Sequence, residues 1–258
     1  MVSEQPAALA VRDLWAGYDG TPALEAVSFE VPAGSLAGLA GPNGSGKSTL
    51  LKAILGLVRP WRGRIEVFGS ALDGQRTRLG YAPQAELVDW EFPATVRDVV
   101  MMGRYGRIGL LRSPKAADRD AVERALAQAG LEPLAGRQIG ELSGGQQRRM
   151  LIARALAQEA SLLLLDEPMG GLDPTAEHEL LSLFERLRDA GKTLLVATHD
   201  LSCIDACFDY TLLINRRLVA FGPTAQVLNT ENLSEAFAEH LLLLPAEGGV
   251  YVGHHGHG

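Results

Sequence analysis

Short apolar runs alternate with helical patterns along most of the chain. Residues 35–40, 161–165 and 193–198 are dominated by apolar side chains, which is typical of parallel strands buried on both faces. Between the last two runs, leucine and phenylalanine recur at helical spacing after Asp173 and Pro174, which form an N-cap and first-turn pair. Strands that alternate with helices predict an α/β fold with a mostly parallel sheet covered on both faces.

Further segments extend this framework. Leucines at helical spacing predict a helix over 48–55, and the patterns of residues 64–68 and 79–82 each predict a strand. Residues 210–214 and 218–221 predict a hairpin whose turn is three residues long.

The middle of the chain has a different pattern. From residue 95 to residue 158 it is helical, and Val122, Leu126 and Ala129 share one face of a segment that ends at Gly130. The predicted organisation is a first core part over 1–85, a helical subdomain over 86–158, a second core part over 159–240, and a flexible tail rich in glycine and histidine over 241–258.

Composition and charge exclude several classes of protein. The 258 residues are 47% hydrophobic, yet no apolar run reaches the roughly 18 residues of a membrane-spanning helix. The N-terminus lacks a secretory signal, so the expected compartment is the cytoplasm. With 24 basic and 31 acidic residues and a net charge of −7, we expect no nucleic-acid partner. Cys203 and Cys207 are too few for a disulfide framework, and we predict that both are buried apolar residues.

A glycine-rich loop joins the first predicted strand to the helix that follows. Residues 41–48, GPNGSGKS, satisfy the pattern GxxxxGK[ST], whereas the alternative is an ordinary glycine-rich turn. Backbone N–H groups of such a loop surround phosphate oxygens, Lys47 reaches the β and γ phosphates, and the Ser48 hydroxyl binds Mg²⁺. The predicted phosphate-binding residues are Gly41, Pro42, Asn43, Gly44, Ser45, Gly46, Lys47, Ser48 and Thr49.

An acidic pair follows the apolar run 162–165. Asp166 is delivered to the carboxyl end of the predicted strand, where ligands gather in open α/β sheets, and its carboxylate is suited to hold Mg²⁺ through water. Glu167 is suited to orient or deprotonate an attacking water. An acidic pair alone is more often a helix start or a solvated turn, but the phosphate loop favours the catalytic interpretation.

The sequence LSGGQ at residues 142–146 is the third element. Ser143 and Gln146 fit a capping box ahead of a helix. Gly144 and Gly145 are poor helix formers, and they expose backbone N–H groups at the helix N-terminus, so the segment is also a second predicted anion site.

These motifs, in this order and spacing and with a histidine in ATHD at 197–200, resemble the nucleotide-binding subunit of an ATP-binding cassette (ABC) transporter. The resemblance covers about residues 9–240. It implies a P-loop NTPase core with a mostly parallel sheet, an antiparallel β region and an inserted α-helical subdomain. It also implies two copies packed head to tail, with ATP on one phosphate loop covered by the LSGGQ segment of the other copy.

The resemblance assigns further roles residue by residue. Tyr18 matches the aromatic that stacks on adenine, and Gln84 matches the glutamine that touches Mg²⁺ or water and signals to the membrane subunit. Glu167 resembles the catalytic base, His199 the histidine that contacts the γ-phosphate, and Asp173 part of the loop that communicates across the dimer.

Two of these assignments have alternatives. Tyr18 is otherwise a core aromatic, with Trp15 as a competitor for the adenine role, and His199 is otherwise a packed histidine at a strand end. Gly170 and Gly171 depart from the pattern, because many relatives carry serine and alanine there.

The sequence DWEFP at residues 89–93 is similar to subunits of manganese, zinc or iron importers. Trp90, Phe92 and Pro93 are expected near the groove that binds a membrane permease, and the alternative is a turn whose aromatics pack inward.

The resemblance also implies partners and a location. The partners are permease subunits and, indirectly, an extracytoplasmic substrate-binding protein. The location is peripheral, at the cytoplasmic face of the membrane. The alternatives to a metal-ion importer subunit are the ATPase subunit of an iron-siderophore or cobalamin importer and a soluble ABC ATPase that acts on nucleic acid.

Other classes fit less well. LSGGQ has no place in a P-loop kinase or GTPase, whereas a nucleotide-gated regulator would bind ATP without turnover. His254, His255 and His257 in the tail are suited to weak Zn²⁺ or Ni²⁺ binding, but a disordered tail without function is the favoured interpretation.

Overall fold

The computed structural model describes residues 7–109, 112–237, 242–246 and 249–253. The strands are β1 (Ala7–Tyr18), β2 (Thr21–Pro32), β3 (Leu36–Ala40), β4 (Arg62–Val67), β5 (Ser70–Ala71), β6 (Leu79–Ala82), β7 (Leu162–Asp166), β8 (Thr193–Thr198), β9 (Tyr210–Asn215), β10 (Arg217–Pro223), β11 (Leu242–Ala246) and β12 (Gly249–Gly253). The α-helices are α1 (Lys47–Ile54), α2 (Val96–Met102), α3 (Tyr105–Ile108), α4 (Ala116–Gln128), α5 (Gly144–Ala157), α6 (Pro174–Asp189), α7 (Leu201–Cys207), α8 (Thr224–Val227) and α9 (Thr230–Phe237). Short 3₁₀ helices cover Leu72–Gly74, Arg76–Arg78, Ala85–Leu87, Glu132–Leu134 and Ile139–Glu141.

Two sheets form the core of the fold. One has the order β10-β9-β3-β8-β7-β6, and its strands are parallel except for β10. The other is antiparallel with the order β2-β1-β4-β5. The predicted α/β fold, with its mostly parallel sheet and antiparallel β region, is confirmed.

The apolar run of β7 explains why the parallel sheet is covered on both faces. Side chains alternate along a strand, so Leu162 and Leu164 pack on the face that α1 and the antiparallel sheet cover. Leu163 and Leu165 belong to the core on the opposite face, which includes Phe184 of α6. Burial on both faces therefore requires an uninterrupted apolar strand.

Helices α2, α3, α4 and α5 lie between β6 and β7 in the chain, where the helical pattern predicts them. Val122, Leu126 and Ala129 are all buried. The buried side chain of Arg104, just after α2, ties this region together. Its guanidinium donates to Asp118 of α4 at 3.1 Å, to the Ala157 carbonyl at the end of α5 at 2.9 Å, and to Glu159 at 2.8 Å.

Two details of the sequence prediction differ from the structure. The hairpin turn is tighter than predicted, because Asn215 belongs to β9 and Arg217 to β10, which leaves Arg216 alone at the corner with a left-handed φ of 58°. Within the tail, β11 and β12 pair as an antiparallel hairpin, which the sequence prediction does not include. The β-branched and aromatic residues at 250–252 favour a strand, and the glycines and histidines around them hid that signal. His254, His255 and His257 lie outside the described residues.

Within the described ranges, no helix combines the length and the apolar character needed to span a membrane.

Candidate nucleotide site

The carboxyl ends of four neighbouring parallel strands, β3, β8, β7 and β6, meet at one edge of the sheet. The phosphate loop follows β3, the Gln84 loop follows β6, the acidic pair ends β7, and His199 follows β8. The strand register aligns these ends, since Asp166 pairs with Ala197 and Ala40 pairs with Thr198. Residues far apart in sequence are therefore brought to one edge of the sheet, as expected for a ligand site in an open α/β fold.

The phosphate loop has its shape because two of its glycines have no room for a side chain. A Cβ on Gly41 would lie 2.1 Å from the Ile214 carbonyl oxygen, and one on Gly46 would lie 2.6 Å from a methyl carbon of Leu24. Gly46 also has a left-handed φ of 102° immediately before α1. The loop is further held where the Arg216 N–H donates to the Ser45 carbonyl at 2.8 Å. These contacts fix the loop in place at the N-terminus of α1.

Lys47 lies folded over its own loop. Its side chain is buried, and Nζ donates to the carbonyl oxygens of Gly41 at 2.7 Å and Pro42 at 3.1 Å. Burial lowers the pKa of Lys47, whereas the nearby carboxylates of Glu167 and Asp166 act to raise it. A buried ammonium held by loop carbonyls is placed to exchange them for phosphate oxygens.

Of the two carboxylate oxygens of Asp166, one accepts a hydrogen bond from a described residue and the other does not. The Tyr81 hydroxyl donates to Oδ2 at 3.3 Å, whereas Oδ1 is buried and accepts no hydrogen bond from the described residues. Burial raises the pKa of Asp166, and the neighbouring Glu167 raises it further. Because buried polar atoms are normally paired, an open carboxylate oxygen in this position fits a cation. A carboxylate oxygen is a ligand that Mg²⁺ prefers.

Glu167 and His199 form a contact at the edge of the sheet. Nδ1 of His199 lies 2.6 Å from Oε2 of Glu167. The backbone of Glu167 has φ of 50°, an unusual conformation for a residue other than glycine, and its N–H donates to the Ala197 carbonyl of β8 at 3.0 Å. Such a conformation costs on the order of 1 kcal/mol and is found where function requires a particular side-chain direction.

A cavity of about 270 Å³ lies at this edge. Its lining residues are Asn43, Gln84, Glu86, Glu167, Gly170 and His199. The structure thus brings together Asn43 of the phosphate loop, Gln84, Glu167 and His199, which the sequence predicts for one site. Glu86 and Gly170 were not predicted as site residues, and their only sequence signal is their position two and three residues after Gln84 and Glu167.

The segment LSGGQ at 142–146, which we call the signature segment, is formed as predicted. The Ser143 N–H donates to Gln146 Oε1 at 3.0 Å, and the Gln146 N–H donates to Ser143 Oγ at 3.4 Å, so the capping box is confirmed at the start of α5. A Cβ on Gly145 would lie 3.0 Å from Cβ of Ala176 in α6. Asp173 caps α6 by accepting from the Thr175 and Ala176 N–H groups, each at 3.0 Å.

The signature segment is not part of this chain's own phosphate cavities. A second cavity, of about 560 Å³, lies on the other side of the phosphate loop. It is lined by Pro42, Asn43, Gly44, Asn215, Arg216, Ala236 and Phe237. Neither this cavity nor the first is lined by residues 143–146. The second predicted anion site therefore lies outside both of these cavities.

The aromatic candidates differ in exposure. Tyr18, at the end of β1, is 48% exposed, so it is not the core aromatic of the alternative interpretation. Trp15 is partly buried, and its Nε1 donates to Asp13 at 3.1 Å. Trp90 packs against the core and donates to the Ala85 carbonyl at 2.9 Å, whereas Phe92 is 51% exposed, so only one of these two aromatics packs inward.

The two cysteines lie on α7. Cys203 is buried as predicted, and burial raises the pKa of its thiol to about 12. Cys207 is only partly buried, so the prediction is wrong for this residue. It lies one helical turn after Cys203, close to the end of α7.

Comparisons with known proteins agree with this geometry. The ABC transporter family model matches residues 24–170. The manganese transport system ATP-binding protein MntB of Bacillus subtilis (strain 168) is 48% identical over 227 residues, which is 88% of this chain and 91% of that protein. The zinc transport system ATP-binding protein TroB of Treponema pallidum (strain Nichols) is 42% identical over 236 residues, 92% of this chain and 89% of that protein.

A solved structure shows the same fold. It is the ADP conformation of an ATP-binding cassette of an ABC transporter, with a TM-score of 0.81 at 23% identity, and the match covers 90% of this chain and 99% of that one. Together with the phosphate loop, acidic pair and signature segment, these similarities show that the chain belongs to the ABC transporter family and is an ABC-type ATPase.

Proposed function

We propose that this chain hydrolyses ATP to power the import of a divalent transition-metal ion, manganese, zinc or iron, through a separate membrane permease. The observation that carries the proposal is the identity to manganese and zinc transport subunits over 88% and 92% of this chain. The metal ion is the cargo of the permease and does not contact this chain.

The hydrolytic step follows from the residues around the cavity. Glu167 accepts a proton from the attacking water, whose oxygen bonds to the γ-phosphorus as the bond to the β-phosphate oxygen breaks and ADP leaves. His199, 2.6 Å from Glu167, orients the carboxylate and faces the γ-phosphate. Lys47 stabilises the negative charge on the phosphates. Positioning and charge stabilisation account for most of the catalysis in phosphoryl transfer.

Ser48, Asp166 and Gln84 are the residues that would hold Mg²⁺. When bound, the ion neutralises phosphate charge and orients the phosphate oxygens. The open Oδ1 of Asp166 supports this assignment, and the position of Gln84 in the cavity wall supports its contact with the ion or with water. The exposure of Tyr18 supports its stacking on the adenine ring.

The active form is a head-to-tail pair of copies. In that pair, Ser143 and Gly145 of the partner subunit cover the ATP bound on this chain's phosphate loop. The support is that residues 143–146 line neither cavity beside their own loop, although their helix start presents free backbone donors. The cross-dimer contact of Asp173 belongs to the same proposal.

The permease docks on the surface beyond Gln84. Four large apolar side chains are exposed on the segment that follows Gln84 in the chain, namely Leu87, Phe92, Met102 and Tyr105. Exposed apolar surface of this kind is typical of interaction sites. Docking places this chain at the cytoplasmic face of the membrane, and an extracytoplasmic substrate-binding protein delivers the ion to the permease on the opposite side.

Transport by the reconstituted complex tests the function. Proteoliposomes that contain the permease and this chain, with the binding protein outside and ATP inside, are given radioactive Mn²⁺, Zn²⁺ or Fe²⁺. We expect ATP-dependent accumulation of at least one of these ions, and no accumulation with Lys47→Ala. Uptake of a ferric siderophore or cobalamin, with none of the three ions transported, would contradict the proposed cargo.

A further inference from the structure

One largely enclosed arginine joins the helix of the signature segment to two walls of the site cavity. Arg148 lies on α5, five residues after Ser143, and its side chain is only 10% exposed. Nη2 donates to Oε1 of Glu86 at 2.8 Å and to the Gly170 carbonyl at 2.9 Å. A single guanidinium therefore spans α5, the loop after Gln84 and the loop after Glu167.

The two partners of Arg148 are cavity residues. Glu86 and Gly170 both line the 270 Å³ cavity, beside Gln84 and Glu167 respectively. A change in the positions of these loops would therefore act directly on the hydrogen bonds of Arg148. Both hydrogen bonds come from the single nitrogen Nη2, so a shift of either acceptor alters the contacts that hold Arg148 and α5.

Helix α5 connects Arg148 to the signature segment. Ser143 caps α5 through the capping box with Gln146, so the signature segment and Arg148 belong to one helix. An α-helix rises 1.5 Å per residue and is rigid over this length, which places Arg148 within about 8 Å of the capping residue along the axis. A displacement of Arg148 is thus carried to the signature segment.

The arrangement leaves one donor of Arg148 unmatched. Nε is buried and has no acceptor among the described residues. A buried donor without a partner is unfavourable. An arrangement in which an acceptor of the adjoining loops moves closer to Nε would remove that cost, so the contact is suited to more than one position of the loops.

We propose that Arg148 is a positioning residue that couples a chain's own nucleotide site to the signature segment which it presents to its partner. The coupling rests on the proposed head-to-tail pair. Nucleotide contacts with the Gln84 and Glu167 loops set the positions of Glu86 and Gly170, and Arg148 transmits those positions to residues 142–146. The two ATP sites of the pair are then filled cooperatively.

The test compares Arg148→Gln, Arg148→Lys and the matched control Arg97→Gln. Arg97 forms an exposed ion pair with Glu123 at 2.9 Å in the same helical region and touches neither cavity wall. For Arg148→Gln in the full chain, we expect fluorescent-nucleotide binding within about twofold of the unchanged chain, whereas kcat falls about tenfold and the Hill coefficient for ATP falls towards 1. Arg148→Lys keeps the positive charge and should recover part of the loss in kcat and in the Hill coefficient. Arg97→Gln should change neither kcat nor the Hill coefficient.

A second measurement separates this proposal from the pair on which it rests. Glu167→Gln is used to accumulate an ATP-bound pair, detected by size-exclusion chromatography, with and without Arg148→Gln. If Glu167→Gln alone forms no pair, the head-to-tail arrangement is wrong and the coupling falls with it. If the pair forms and Arg148→Gln leaves kcat and the Hill coefficient unchanged, only the role of Arg148 is wrong. A loss of nucleotide binding and thermal stability in both Arg148 variants would also overturn the coupling role, because it would show a merely structural one.

Discussion

The Nδ1 atom of His199 lies 2.6 Å from Oε2 of Glu167, although 32 positions separate the two residues in sequence. Parallel pairing of β7 with β8 creates this contact, because Glu167 and His199 immediately follow the ends of neighbouring strands. The hydrogen bond between the Glu167 N–H and the Ala197 carbonyl strengthens the same junction. The pair is therefore a consequence of sheet register, and it places a carboxylate and an imidazole together at the cavity.

Replacement of Glu167 by glutamine removes the proton acceptor while preserving the size of the side chain. We expect ATP hydrolysis to fall by about 10²–10⁴-fold, with ATP binding retained, because the phosphate loop is untouched. Phosphate release and equilibrium nucleotide binding are measured side by side. His199→Ala should also lower the rate of ATP hydrolysis. Hydrolysis by Glu167→Gln at the rate of the unchanged chain would contradict the assignment of the base.

The Tyr81 hydroxyl orients Asp166 and thereby aims its open oxygen. Tyr81→Phe removes the donor to Oδ2, so we expect divalent-metal affinity to fall about 10-fold or more, as is typical for groups that support a metal ligand. Binding of Mn²⁺ in place of Mg²⁺ is followed by electron paramagnetic resonance in the presence of ATP. Tyr105→Phe, at a residue that is 53% exposed, is the control and should bind Mn²⁺ normally. Equal affinity in the two variants would contradict the role of Tyr81.

The buried charge of Asp166 destabilises the folded chain when no metal is bound. Because burial raises the pKa of Asp166 above its unfolded value, ionisation is less favourable in the folded state, and the cost is fully present above the raised pKa. We expect Asp166→Asn to raise Tm at pH 7 by about 2–4 °C, on the order of 1 kcal/mol for a chain of this size. The gain should shrink as the pH falls through the raised pKa towards the unfolded value.

With Mg²⁺ and ATP added, we expect the unchanged chain to have a higher Tm than Asp166→Asn. Only the unchanged chain retains the Asp166 carboxylate, so it should gain more stability from binding Mg-ATP. Scanning fluorimetry at several pH values, with and without Mg-ATP, measures both effects. A lower Tm for Asp166→Asn at pH 7 without metal would show that the carboxylate stabilises the apo fold.

The two thiols should react at different rates. Cys203 is buried and the pKa of its thiol is raised to about 12, so little thiolate forms at pH 8, whereas Cys207 is partly exposed. We expect iodoacetamide to label Cys207 first and to label Cys203 only on unfolding, as followed by mass spectrometry of peptides. Labelling of Cys203 in the folded chain before Cys207 would contradict the burial of α7 against the core.

The sequence reveals the parallel sheet and the main motifs because their signals are local. The apolar run of β7, the loop at 41–48 and the capping box of Ser143 each lie within a few residues. Strands β1 and β2 are harder to predict, because left-handed residues at Asp13 and Ala26 and several register shifts interrupt the alternation of apolar and polar positions. The pairing of β1 with β2 depends on contacts between the strands, and the alternation of apolar and polar residues along each strand does not reveal these contacts.

The missed site residues depend on tertiary contacts. Tyr81 and Asp166 are 85 positions apart, and Arg148 and Glu86 are 62 positions apart. Nothing in the local sequence of Arg148 distinguishes it from Arg149, which instead pairs with Glu179 of α6 at 3.4 Å. Their different roles follow from the direction in which each side chain leaves α5, and this direction is fixed only by the packed fold.

Completion of each ATP site by the signature segment of the other copy is tested most directly with a mixed pair. In a Glu167→Gln background, one copy carries Lys47→Ala and the other carries Ser143→Arg, so that only one of the two composite sites is intact. We predict one retained ATP per mixed pair, and none when either variant is present alone. Retention of ATP by Ser143→Arg alone, at the level of the Glu167→Gln chain, would contradict the account.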